Sequence, residues 1–210
     1  MIEGVALKRM AVMKKVAGAC GIASQVIGVT ALTVSVFISP WFSWRKDHLS
    51  AFGVDSSDQL IYNSGLILAG ILGVIFAIGL GRYFLSGRLG QVGTGGLILG
   101  SAAVFTMGVF PRNWDFIHGA STVSFFVCIS LGLAIAGAAA INASQMAWGV
   151  LTVAAGVLMA AFQLIPGPLA GGAIAQVLAC VPWSLWTIAS GIMLLMRPAP
   201  LAQSRREVDV

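Results

Sequence analysis

The amino-acid sequence predicts an all-α integral membrane protein, a six-transmembrane-helix bundle with both termini in the cytoplasm. Three observations carry that prediction. Of 210 residues, 58% are apolar and only 9% are charged, with a mean hydropathy of +0.95, a composition that no water-soluble domain needs. The apolar residues fall into six runs, each near the roughly 20 residues with which a helix crosses a hydrocarbon core about 30 Å thick. Lys and Arg, finally, are shared unequally between the segments joining those runs, as they are across a membrane.

The first run, 16–39, follows a basic N-terminus, 1–15, that carries Lys8, Arg9, Lys14 and Lys15. Positive charge ahead of an apolar stretch is the pattern of a signal peptide, but this stretch is too long for a signal core and five more follow, so it reads as a retained helix. The later spans, 60–81, 92–110, 116–141, 146–165 and 172–196, complete a transmembrane domain over 16–197. Their apolarity is continuous instead of alternating, which excludes barrel strands, and a helix in lipid satisfies its own backbone amides.

The odd-numbered spans stop at proline, in Ile38-Ser39-Pro40, Phe110-Pro111 and Ile165-Pro166, where the missing N–H and the ring clash end a helix. Pro182 instead lies within the sixth span; it should free the carbonyl of Leu178 and bend the helix beside Trp183 and Trp186. Gly96 with Gly100, Ala69 with Gly73, and Ala77 with Gly81 have the small-xxx-small spacing that lets helices approach closely. Residues 198–210 read as a polar, basic cytoplasmic tail.

Six spans place Lys8, Arg9, Lys14, Lys15, Arg82, Arg88, Arg197, Arg205 and Arg206 on one side, and Arg45, Lys46 and Arg112 on the other, nine against three. The nine should be cytoplasmic and the protein a multi-pass resident of the cell membrane. Asp47, Asp55, Asp58 and Asp115 fall opposite the basic face. Trp41, Trp44, Tyr62 and Trp114 lie at the predicted outer boundary and Tyr83 and Trp148 at the inner one, as an aromatic belt would place them. The net charge of +5 therefore reflects topology: membrane lipids are the expected partners and nucleic acid is not, because the basic residues form no stripe on a folded surface.

Polar chemistry gathers on the outer side. The loop 40–58 is too long for a turn and mixes aromatic with charged residues, so it should fold back over the bundle; such loops are often functional, although tryptophans anchored at the headgroups would give the same composition. The second outer element runs from Phe110 to His118. Asp115 and His118, three apart, share a helix face. Asp115 or Asn113 is expected to cap the helix. An ionisable group just inside the boundary is costly in lipid, so His118 should face a polar interior or a partner.

His48 and His118 with Asp115 or Asp47 supply zinc-type ligands, but their spacing is not diagnostic, and no metal is expected. Ser43 or Ser50 beside a histidine lacks the Gly-x-Ser-x-Gly context of a nucleophile, so no catalytic residue is assigned. No Asp, Glu, Lys or Arg falls deep in a span, which disfavours ion-coupled transport. With one histidine in the spans a transmembrane b-type haem is not expected, nor any other cofactor. Cys20, Cys128 and Cys180 sit singly in apolar runs and read as inert buried thiols. Gln25, Asn63, Gln163 and Gln176 remain, and interhelical hydrogen bonds of about 0.6 kcal/mol each account for them.

The run Leu49-Ser50-Ala51-Phe52-Gly53, then Tyr62-Asn63-Ser64-Gly65-Leu66, then Gly108-Val109-Phe110-Pro111 with His118 seven residues on, resembles the domain of unknown function 998 family of prokaryotic polytopic membrane proteins. The resemblance covers all six spans. In that family the first motif usually reads Ser-Asp-Leu-Gly, and here Ala51 stands in place of the acid. Ser50, Gly53, Asn63, Phe110, Pro111 and His118 match. The resemblance implies the architecture and an outer polar site, and it implies no particular reaction.

Two functional classes follow. In the first, the protein binds a small molecule or lipid head group, as an enzyme or a receptor, at an outward-facing site of His48, Ser50, Asn63, Arg112, Asp115 and His118, with Arg112 suited to an anionic group. In the second, it is a structural or accessory subunit of a larger membrane complex, meeting copies of itself or a partner subunit through its small-residue faces, while the outer polar groups only cap helices.

Overall fold

The computed structural model describes residues 2–54, 58–85, 87–164 and 172–196. Six helices make up the fold: α1 (Ile2–Ile38), α2 (Gln59–Tyr83), α3 (Gly87–Val109), α4 (Asp115–Asn142), α5 (Met146–Leu164) and α6 (Gly172–Met196), with a short 3-10 helix, Leu49–Gly53, between α1 and α2. All six are long and apolar enough to cross a membrane, and no strand occurs among the described residues. Ile165-Pro166, Asp55, Arg197, Arg205, Arg206 and the tail 198–210 lie outside the described residues.

The helix bounds depart from the apolar runs where polarity and secondary structure part company. Helix α1 starts at Ile2, so Lys8, Arg9, Lys14 and Lys15 belong to the same continuous helix as the first apolar run. Helix α3 starts at Gly87, a turn before its apolar run, because Arg88 and Gln91 are good helix formers that hydropathy discounts. Pro182 sits inside α6, which continues through it to Met196.

Each helix packs on the next in the chain, and α1 meets α6, so the six close into a ring. Glycine lets the backbones approach. A Cβ added at Gly96 would lie 2.8 Å from Gly132 Cα, and one at Gly93 2.7 Å from the backbone of Ala136, which fixes α3 against α4. Gly18 of α1 meets the Gly191 carbonyl of α6 at 2.6 Å in the same sense. In lipid, where helices gain little from apolar burial, this close contact is the main source of association. Of the pairs at small-xxx-small spacing, Gly100 packs on Ile129, Gly73 on Ser101 and Gly81 on Thr94. These contacts lie inside the bundle.

Phe76, Leu80, Leu97, Ile129, Leu133 and Met159 form the fully buried centre. Towards the end that holds the C-terminus of α2, Trp186 stacks on Trp183 and Trp148, with ring centroids 5.7 and 6.4 Å away, and meets Phe76 edge-on. Its indole Nε1 donates to Thr152 Oγ1 at 2.8 Å, giving the buried N–H a partner. The glutamines make the expected bonds between elements: Ser184 Oγ of α6 donates to Gln25 Oε1 of α1 at 2.9 Å, and Gln163 Nε2 of α5 donates to the Ala175 carbonyl of α6 at 3.3 Å.

Candidate functional site

One end of the bundle carries the last residues of α1, the 3-10 helix and the first turns of α2, α4 and α6; it is roofed by the loop after α1. Phe52, fully buried, anchors the roof, with ring centroids 4.2 Å from Phe42, 5.8 Å from Trp41 and 5.7 Å from Tyr62. Tyr62, expected in an aromatic belt, is buried beneath this cluster; Trp41, Trp44 and Trp114 stay exposed. One of its polar contacts ties the roof to α6, where Gln176 Oε1 accepts the Leu49 amide at 2.8 Å. Within the loop the Asp47 carboxylate accepts the Ser43 amide at 2.8 Å. The chain enters α6 through Gly172 at φ +71, where a Cβ would also strike the Asp47 carbonyl at 2.7 Å. Only glycine meets both demands.

Beneath the roof, Asn63 Nδ2 donates to the Gly53 carbonyl at 3.0 Å, so one amide links α2 to the 3-10 helix. The Gly53 position is matched to it: a Cβ there would stand 2.7 Å from Asn63 Oδ1. That oxygen is buried and has no donor among the described residues. The backbone of Asn63 is pressed by Gly108 of α3, whose Cβ would lie 2.7 Å from the Asn63 carbonyl. Two residues on, the Phe110 carbonyl is 2.9 Å from His118 Nδ1. A carbonyl only accepts, so Nδ1 carries a proton and donates it. His118 is 7% exposed and closes the turn between α3 and α4. Its interior placement agrees with the cost of an ionisable ring facing lipid.

Asp58, which precedes α2, is the residue that sequence reading passed over. It occupies the N-cap position but makes no side-chain cap hydrogen bond. Its carboxylate turns inward instead: Oδ2 accepts from Ser39 Oγ of the α1 terminus at 2.6 Å, and the residue is 0% exposed. Oδ1 is buried with no donor among the described residues. The sequence held one signal for it, an acid immediately before an apolar run opposite a Ser-Pro stop.

The six residues selected from sequence divide into two groups. Asn63 and His118 are buried and linked through Gly108 and Phe110, whereas His48, Arg112 and Asp115 are exposed and Ser50 is half-buried. No hydrogen bond or ion pair joins any two of the six among the described residues. The expected cap also differs: Trp114 takes the N-cap position of α4 without a side-chain bond, and Asp115 is the first helical residue, where its charge still favours the N-terminal dipole. No three His, Cys, Asp or Glu side chains converge as a metal site among the described residues. Chemically, then, the roofed end presents two buried acceptors without donors among the described residues, Asp58 Oδ1 and Asn63 Oδ1.

Residues 22–193 match the family model described as protein of unknown function (DUF998). No curated protein and no solved structure matches the chain.

Proposed function

The chain belongs to the family described as protein of unknown function (DUF998), and from that premise we propose that it is a multi-pass plasma-membrane protein whose roofed end faces outward and binds a donor-rich small molecule or lipid head group. The carrying observation is Asp58, a carboxyl group fully buried at a helix-bundle end with one oxygen held by Ser39 and the other without a donor among the described residues. A buried oxygen left without a donor costs about 1–3 kcal/mol, the desolvation penalty of an unpartnered polar group, so a ligand that brings N–H or O–H groups to that oxygen gains correspondingly. Asn63 Oδ1 is a second buried acceptor with no donor among the described residues, which favours an amine or polyol head. In this reading His48, Ser50, Arg112 and Asp115 are the outer members of the site, with Arg112 chemically suited to a negative group on the same ligand. Cytoplasmic termini follow from the excess of Lys and Arg at the opposite end.

Native mass spectrometry of the protein released from its own membrane in mild detergent tests this reading. The wild-type chain should retain a stoichiometric small mass, and Asp58→Asn and Asn63→Ala should lose it while keeping their helix content. A bare wild-type chain, or one that carries another subunit in place of a small molecule, would transfer the reading to an accessory role in a larger complex.

A further inference from the structure

At the opposite end a groove runs between α2 and α3, open to the side of the bundle, with a volume of about 230 Å³. It is lined by Ile78, Gly81 and Arg82 of α2 and by Gln91, Thr94, Gly95 and Ile98 of α3. The spacing explains the alignment. Ile78 and Arg82 are four apart on α2, and Gln91, Gly95 and Ile98 recur at four and three on α3, so each set lies on one helix face. Arg88, a further three residues towards the start of α3, extends the same face. Gly95 is what keeps the groove open, since a Cβ there would meet nothing within 4 Å.

Neither α2 nor α3 contains Asp or Glu, Arg82 and Arg88 are exposed, and neither makes an ion pair among the described residues. An apolar trough topped by guanidinium and amide donors is complementary to a lipid whose chain lies along the wall and whose phosphate sits at the helix ends. We infer that the α2–α3 groove is a seat for an anionic phospholipid, its acyl chain against Ile78, Gly95 and Ile98 and its phosphate at Arg82 and Gln91. This rests on membrane insertion but is independent of the ligand at the roofed end.

The test mixes delipidated full-length protein in mild detergent with phosphatidylglycerol or with phosphatidylcholine of the same chains, and counts retained lipid by native mass spectrometry. Wild-type protein should retain phosphatidylglycerol in preference. Arg82→Gln should lower that retention about five-fold, the equivalent of about 1 kcal/mol for one basic residue at a membrane surface. Gly95→Leu, which fills the trough, should lower retention of both lipids, while Gly119→Leu on α4, where a Cβ also meets nothing within 4 Å, should leave it unchanged. Asn63→Ala should retain phosphatidylglycerol like wild type, which separates this seat from the roofed site. Equal retention of the two lipids by wild type, unchanged retention in Arg82→Gln, or displacement of the lipid by excess inorganic phosphate would overturn the inference. Should Gly95→Leu lose its helix content, the Arg82→Gln comparison alone decides.

Discussion

The two ends of this bundle handle polarity in opposite ways. At the roofed end the carboxylate of Asp58, the amide of Asn63 and the imidazole of His118 are all buried, and an aromatic cluster centred on Phe52 lies over Asn63. At the other end Arg82, Arg88 and Gln91 stand exposed around a groove, and short turns join the helices. Buried groups must be satisfied by specific partners, so each substitution at the roofed end should act on the fold as well as on binding. Exposed groups keep their water or meet a headgroup, so substitutions at the arginine end should act on lipid contact with little effect on stability.

The largest expected effect comes from glycine. Gly53→Leu drives a side chain into Asn63 Oδ1 and should cost about 3 kcal/mol, the upper range for overpacking, read as a fall in the unfolding midpoint in detergent. Next is Ser39→Ala, which removes the hydroxyl donor from a buried carboxylate and should cost about 2 kcal/mol; a loss near zero would mean that Asp58 finds other solvation and that the roof is open. His118→Phe keeps the ring volume but drops the bond to Phe110, for about 1 kcal/mol. Smallest are Gly95→Leu and Arg82→Gln at the other end, each within about 0.5 kcal/mol of wild type. If the last pair destabilised as much as the first, the contrast between the ends would fail.

Sequence alone disclosed much of this and missed specific parts for physical reasons. Six helices long enough to span a bilayer are visible as six apolar runs, because a lipid-facing helix needs no periodicity to be recognised. The closure of α1 on α6 through Gly18 and Gly191 is not visible, since nothing local pairs residues so distant in the chain. Asn63 and His118 stand out as polar groups in or beside apolar runs, and Gly53 only through the family resemblance. Asp58 does not, because an acid beside a loop looks like any solvated cap; its burial depends on Ser39, nineteen residues earlier. Tyr62 failed in the reverse direction. At a membrane boundary it resembles a belt residue, and only the return of the 49–53 segment over α2 covers it.

The contrast between the ends is tested most directly by carboxylate labelling. The intact protein in mild detergent is treated with a water-soluble carbodiimide and an amine, and each Asp-containing peptide is quantified by mass spectrometry. Asp115, exposed at the start of α4, should label readily, and Asp58 should stay unlabelled until the protein is denatured. Labelling of Asp58 at the rate of Asp115 in the folded protein would contradict a sequestered polar site beneath the roof.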